Sequence, residues 1–426
     1  MSPTFTSLHN RNYRLFFTGG LVSNTGTWMQ RVAQDWLVLQ VLHGTGTQLG
    51  ITTGLQFLPM LLFSMWAGVL ADRYSKRALL YVTQTGLALT ALALGLLDVA
   101  GVAQIWHVYV LAFLTGVITA LDNPTRQSFV VEMVGREHLS NAVGLNSASF
   151  QSARVIGPAA AGLLINWIGT GPVFLVNAAS FIAVLISLTA MNPALLHPAP
   201  RTARGPGQLR EGLRYVRARP DLLFVLLVVF FVGTFGMNFQ MTTALMAVNV
   251  FHRGAGQYGL LGSAMAVGSV VGALFAARRK RPRLRLIVLA TAAFGIAEVA
   301  AGVMPTYLTF ALSLPFAGVT ALTVITAANS TMQLAVSPVM RGRVMALYMA
   351  VFMGGTPLGA PIVGWVGQTF GPRWTLWLGG VLSAVPALLG AVVIARRNPL
   401  VVRPHLRPRP KLEIVAQELA DTVQQA

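Results

Sequence analysis

Gly68-Val69-Leu70-Ala71-Asp72-Arg73-Tyr74-Ser75-Lys76-Arg77 joins two apolar runs, Leu49–Ala71 and Ala78–Val99. About 20 mostly apolar residues suffice for a helix to cross the hydrocarbon of a bilayer. Both runs are that long, and the gap between them holds Arg73, Lys76 and Arg77. Working outward, the same contrast repeats. Arg11 and Arg14 precede the first run, Arg126 and Arg136 flank the end of the fourth, and six more basic residues lie between Arg201 and Arg219. Arg278 to Arg285, then Arg341 and Arg343, then Arg396 to Lys411 complete the series. These gaps contain twenty-seven of the 31 Lys and Arg residues, whereas the alternate gaps hold only Arg253 and Arg373. Loops kept in the cytoplasm retain Lys and Arg because they are not translocated. The alternation predicts a multi-pass membrane protein with both termini cytoplasmic.

Composition points the same way. Hydrophobic residues make up 54% of the chain and charged residues 10%, against roughly 45–50% and about 25% in a typical soluble domain. The net charge of +19 is spread over short loops between spans, so it reads as topology and headgroup contact and not as a nucleic-acid surface. With no cysteine, disulfides, thiolate metal sites and thiol nucleophiles are excluded. The first apolar run is too long for a cleavable signal and carries Arg31 and Asp35. The chain has no Gly-Lys phosphate loop, no His-Glu-x-x-His and no Gly-x-Ser-x-Gly. We therefore expect no enzyme activity, no cofactor and no metal.

Twelve spans can be laid down, and they predict an all-α membrane fold of two pseudo-symmetric six-helix halves. The expected division is an N-terminal half over residues 1–191, a cytoplasmic linker over 192–220, a C-terminal half over 221–397 and a cytoplasmic tail over 398–426. The tail reads as a Pro and Arg spacer followed by a short helix with Leu412, Val415, Leu419 and Val423 on one face. The halves echo one another at an offset of about 200 residues, an internal repeat of the kind found in transporters. Gly171-Pro172 opens the sixth span and Gly371-Pro372 the twelfth; Pro158 matches Pro357; Asn123 and Gln127 match Asn329 and Gln333.

The Gly68–Arg77 stretch resembles the signature loop of the major facilitator superfamily, G-x-L-[AS]-D-R-x-[GS]-[RK]-[RK]. The resemblance implies a loop that latches the two halves in the outward-open state, built from Gly68, Asp72, Arg73 and Arg77 with Asp122 as the carboxylate that pairs with the arginines. The equivalent second-half loop, ending in Arg278 and Arg279, has no acid, so the latch is expected on one side only. Span five carries Gly144, Ala153, Gly157, Pro158, Ala161 and Gly162, which resembles the antiporter motif of the same superfamily with Ala in place of two glycines. Trp28-Met29-Gln30, Trp36-Leu37-Val38-Leu39 and Asp122-Asn123-Pro124-Thr125-Arg126-Gln127 are similar to the exporter branch that includes bacterial siderophore and multidrug efflux proteins.

A charge at the centre of a spanning helix costs about 2.5–3.5 kcal/mol on insertion scales, so each such residue calls for a reason. Asn24, Thr27, Arg31, Gln34 and Asp35 share one face of the first span and should meet a cavity. In one reading Asp35 exchanges a proton while Arg31 tunes it; in the other the two form a permanent ion pair. Arg154, in span five, is expected either to pair with Asp35 or Asp122 or to meet an anionic group of the substrate. Glu298, alone in span nine, reads as a satisfied structural carboxylate or one that reaches the outer headgroups, in preference to a substrate-site residue. The adaptable Met and aromatic groups around Asn238 and Gln240, with Asn24, Gln34, Asn146, Gln151, Asn329 and Gln333, make the expected substrate-cavity list.

The reading that follows is a secondary transporter of a bacterial inner membrane: a proton-coupled antiporter exporting amphipathic small molecules such as drugs or siderophores, with Asp35, Arg31 and Arg154 in the coupling role. Its partners would be substrate, protons and lipid, without nucleic acid, in a monomer. The rival readings are a proton-coupled uptake symporter for a small polar metabolite and, more remotely, a non-transporting scaffold or sensor.

Overall fold

The computed structural model describes residues 3–135, 137–197, 208–277, 284–397, 400–405 and 411–416. Six helices form the first half: α1 (Arg11–Trp36), α2 (Gly46–Arg73), α3 (Lys76–Val99), α4 (Ile105–Val134), α5 (Leu139–Ile168) and α6 (Thr170–Ala190). A short helix, α7 (Gln208–Arg217), follows in the linker. The second half contains α8 (Pro220–Phe231), α9 (Phe239–Leu245), α10 (Ala255–Ala277), α11 (Leu284–Val303), α12 (Tyr307–Ala335), α13 (Pro338–Thr369) and α14 (Pro372–Arg397). Local chemistry starts several of them. Asn10 caps α1 through the Tyr13 amide, and Thr45 with Gln48 forms a reciprocal capping box on α2.

Among the described residues, eight segments are long and apolar enough to cross a membrane: α3, α4, α6, the combined Pro220–Val250 segment, α10, α11, α12 and the Met340–Thr369 part of α13. The other expected spans, α1, α2, α5 and α14, are helical too, and of these α1 and α5 are the ones rich in polar residues. For α1 and α5 the reason is position. Their polar residues face a cavity and each other, so lipid contact does not govern their sequence.

The two halves repeat one packing scheme. In the first, α3 packs on α6 and on α4, and α2 on α4; in the second, α11 packs on α14 and on α12, and α10 on α12. The halves meet through α2 with α13 and α5 with α10, and the prolines matched in sequence occupy these paired seams. The Pro158 carbonyl lies where a methyl on Gly259 would collide with it, and a methyl on Gly54 would lie 3.2 Å from the Pro357 carbonyl oxygen. The Gly-Pro turns are less alike: Gly371 has φ +104°, but before α6 the positive φ belongs to Gly169.

One expected span is broken. α8 ends in a wide π-type turn over Val232–Gly236, α9 starts afresh at Phe239, and a second such turn covers Met246–Val250. The Asn238 side chain donates to the freed Thr234 carbonyl at 2.8 Å, the kind of replacement that lets a helix break inside a membrane. Within the linker, Glu211 of α7 pairs with Arg343 of α13 at 2.7 Å.

The tail departs from expectation. Leu400–His405 and Lys411–Ala416 pair as antiparallel strands β1 and β2, with Val402 opposite Ile414. Alternation of Leu412, Ile414 and Ala416 fits a strand and competes with the helical reading of Leu412 and Val415. Leu419 and Val423 lie outside the described residues.

Candidate transport cavity

A cavity of about 590 Å³ lies between the halves, within the usual range for small-molecule sites. It is walled by residues of α1–α6 on one side and by the α8–α9 break, α9, α10, α12 and α13 on the other. Away from the basic loops the seam is shut: the Gly46 amide donates to Gln368 Oε1 at 3.0 Å, and Ser263 Oγ donates to the Val155 carbonyl at 2.6 Å. In the other direction the cavity reaches Asn123 and Arg126, near the basic end of α4, where Asn123 is exposed.

Asp35 sits on the cavity face of α1 with only 3% of its surface exposed. Its Oδ2 accepts hydrogen bonds from Tyr258 Oη at 2.6 Å and Gln240 Nε2 at 2.8 Å. Both donors belong to the second half. Tyr258 is held by near-parallel stacking on Trp36, ring centroids 6.3 Å apart, and Gln240 stands in the first turn of α9, just past the break. Arg31, one turn before Asp35, forms no ion pair with it. A cation N-terminal to an acid at this spacing is the poorer of the two helical orders, and the Arg31 guanidinium turns back over Trp28 instead, 4.7 Å from the ring centroid.

Arg154 reaches the same indole at 5.7 Å, so the expected pairing with Asp35 or Asp122 is not made. Among the described residues neither guanidinium has an ion-pair or hydrogen-bond partner, and the buried Arg31 Nε is unsatisfied. A cation on an aromatic face gains about 0.5–2 kcal/mol, against about 2.5–3.5 kcal/mol for placing it at mid-membrane. The indole therefore offsets only part of the cost. Asp122 is satisfied, accepting from Thr83 Oγ1 and Gln84 Nε2, each at 2.7 Å, and from Arg126 Nε at 3.2 Å.

Of the expected cavity amides, Asn24, Gln151, Asn238 and Gln240 line the wall. Gln34 does not; it lies one layer back, 3.5 Å from the wall residue Gln56. Asn146 is turned away to accept from Tyr13 Oη at 3.1 Å, because five residues of helix carry it far around α5 from Gln151. Asn329 and Gln333 bond to each other near the basic end of α12, where Gln333 is exposed, while the wall is made by Leu322 and Ile325 deeper in. Sequence reasoning missed Tyr258, Gln56 and Phe57 as wall residues. An isolated tyrosine opening an apolar helix was the only signal for the first.

A family profile described as a transmembrane secretion effector matches residues 2–425. The chain belongs to that family. It is 32% identical over 177 residues to the staphyloferrin A transporter of Staphylococcus aureus, a match covering 41% of this chain and 44% of that protein, so the chain spans less than half of that relative's length. It is 25% identical over 399 residues to the enterobactin exporter EntS of Escherichia coli strain K12, covering 91% of this chain and 92% of the exporter. A solved bacterial homolog of the human lysosomal transporter Spinster, inward-facing and occupied, shares the fold with a TM-score of 0.70 at 18% identity, over 93% of this chain and 98% of that one. The chain is thus a multi-pass membrane protein of a major facilitator transporter family, not of an enzyme family.

The resemblance motifs of the secretion effector take up contacts other than those expected. Asp122 does not pair with Arg73 or Arg77; its neighbours on α3 and Arg126, one turn along α4, satisfy it first. Arg77 instead donates to the Leu188 carbonyl at 2.9 and 2.6 Å, and Lys76 pairs with Glu132 at 2.6 Å. Both contacts stay inside the first half. Arg73 is exposed and Gly68 buried, whereas the side chain of Asp72 and all of Arg278 and Arg279 lie outside the described residues. In the antiporter motif, a methyl on Gly157 would lie 2.5 Å from Trp28 Cβ and one on Gly162 would lie 2.5 Å from the Ala255 carbonyl oxygen, so both permit close helix approach. Gly144 borders open space and has no such role in this arrangement. Glu298 is 2% exposed and makes no hydrogen bond among the described residues. It is neither satisfied nor at the outer headgroups, because α14 covers it at Gly379 and Gly380.

Proposed function

We propose that this protein is a proton-coupled antiporter that exports amphipathic small molecules, siderophores or related compounds among them, across a bacterial cytoplasmic membrane. On this reading the chain has twelve spans, α1–α6 and then α8 with α9 as one span followed by α10–α14. Both termini are cytoplasmic, and the arrangement described is inward-facing. The observation that carries the proposal is the bridge from Asp35 to Gln240 and Tyr258. The relation to an enterobactin exporter over nine-tenths of the chain supports the direction of transport.

An ionised Asp35 accepting from two donors of the opposite half holds the outer seam closed, because hydrogen bonds to a charged group contribute about 1.5–3 kcal/mol each. A proton on Asp35 weakens both bonds, and a ligand that displaces either donor removes one. The empty, deprotonated carrier is then locked, while the protonated carrier and the ligand-loaded carrier can each cross. A carrier that crosses only when loaded with one or the other exchanges them.

The test uses the full-length protein in proteoliposomes with enterobactin as the trial ligand and an imposed pH gradient. Native protein should move ligand against the proton flux, and Asp35→Asn should keep ligand exchange at equal pH while losing the gradient-driven component. Ligand and protons moving in the same direction would establish the uptake symporter instead. Gradient dependence unchanged in Asp35→Asn would remove Asp35 from coupling.

A further inference from the structure

The paired arginines of the cavity wall are not needed by the Asp35 bridge. Arg31 and Arg154 come from different helices, α1 and α5, yet both guanidiniums rest against the one indole of Trp28. Arg31 also stands 5.8 Å from the Phe57 ring. The acids that could neutralise them are otherwise engaged: Asp122 is bonded to Arg126, and Asp35 to Gln240 and Tyr258. Two cations are thus held near each other on a ring that fixes their orientation, with Arg31 Nε buried and unsatisfied. Asp35, one turn along α1, balances Arg31 through space without touching it, but Arg154 has no acid partner among the described residues, so one positive charge is left over and the two guanidiniums repel. The arrangement lacks one component, an anion.

We infer that Arg31, Arg154 and Trp28 form a binding site for an anionic group of the transported ligand, a carboxylate or comparable planar oxyanion on an aromatic or apolar body. Guanidinium forks match planar oxyanions in two-point contacts that an ammonium cannot reproduce. Trp28 and Phe57 supply faces for the body of the ligand, and the cavity is large enough for it. The inference rests on the transport reading only in taking this cavity as the ligand's site. It also reassigns the arginines: they select the ligand, while Asp35 answers to the second half.

Equilibrium binding to the purified full-length protein, with no gradient present, tests this separately from transport. The probes are trimesate, a planar tricarboxylate, and its neutral trimethyl ester, measured by calorimetry. Trimesate should bind, and Arg31→Gln or Arg154→Gln should each weaken it by about tenfold or more, the loss of one charge-assisted contact. Arg31→Lys and Arg154→Lys, which keep charge and packing, should fall between native and Gln variants, and Arg14→Gln on the basic surface should change nothing. Equal affinity for acid and ester, no binding of trimesate, or equal effects of Arg14→Gln and Arg31→Gln would overturn the inference. Charge-selective binding without proton exchange would sink the antiporter reading and leave the anion site standing; proton-driven export without charge selectivity would do the reverse.

Discussion

Tyr258 and Asp35 are 223 residues apart in the chain and joined by a 2.6 Å hydrogen bond across the boundary between the halves. The contact ties the one buried acid of α1 to the first turn of α10, next to the α5–α10 seam.

Removing that hydroxyl should loosen the seam. Tyr258→Phe deletes a bond to a charged acceptor, worth about 1.5–3 kcal/mol, so the closed arrangement should lose about ten- to a hundredfold in population. The chain lacks cysteine, so Ser263→Cys, buried in the seam, can be labelled alone. Maleimide labelling should be at least about tenfold faster in Tyr258→Phe than in the parent carrying only Ser263→Cys; equal rates would dissociate the bond from closure.

A side chain at Gly162 should act on the same seam by steric means. The Ala255 carbonyl oxygen would lie 2.5 Å from its first carbon, and overpacking of this kind costs about 1–3 kcal/mol. Gly162→Val should lower the unfolding temperature and speed Ser263→Cys labelling, whereas Gly144→Ala, which borders open space, should change neither. Matching effects of the two substitutions would refute the distinction.

Glu298 should be replaceable at a gain. Its carboxyl is buried without a hydrogen-bond partner among the described residues, and an unsatisfied buried polar group costs about 1–3 kcal/mol. Glu298→Leu should raise the unfolding temperature and leave trimesate affinity as it was. A lower unfolding temperature would mean that the carboxyl is stabilising after all.

The Lys76–Glu132 pair joins the start of α3 to the end of α4, and both side chains are largely covered, at 14% and 15% exposure. A double-mutant cycle with Lys76→Ala and Glu132→Ala should give a coupling of about 0.5–1 kcal/mol, read from thermal unfolding. Seam labelling should not move, since the pair lies inside one half. A change in labelling would show that this loop acts across the halves.

The membrane class and the duplicated architecture were legible because both are written locally. Apolar run length and loop charge act residue by residue, and Pro158 and Pro357 mark the repeat by position alone. The Gly157 and Gly162 packing sites were readable for the same reason. Contact choice was not. Arg31 and Asp35 share a helix face at a spacing that suggests a pair, and Asp122 lies near Arg73 and Arg77 in the folding scheme. Each found a different partner, because a buried charge settles with whichever donors the assembled neighbours bring closest. The α8–α9 break escaped notice because the run stays apolar through Gly233 and Gly236, and Asn238, whose side chain bonds the Thr234 carbonyl, read only as a cavity amide.

What the sequence by itself determined is therefore the solvent, the repeat and the list of residues that do not belong in lipid. What only the tertiary structure decided is how those residues divide. Asp35 answers to Gln240 and Tyr258, 205 and 223 residues away, and Arg31 joins Arg154 on Trp28. Hydropathy is a property of each segment, but a buried acid or guanidinium is satisfied only by groups that packing delivers, and these come from helices distant in the chain.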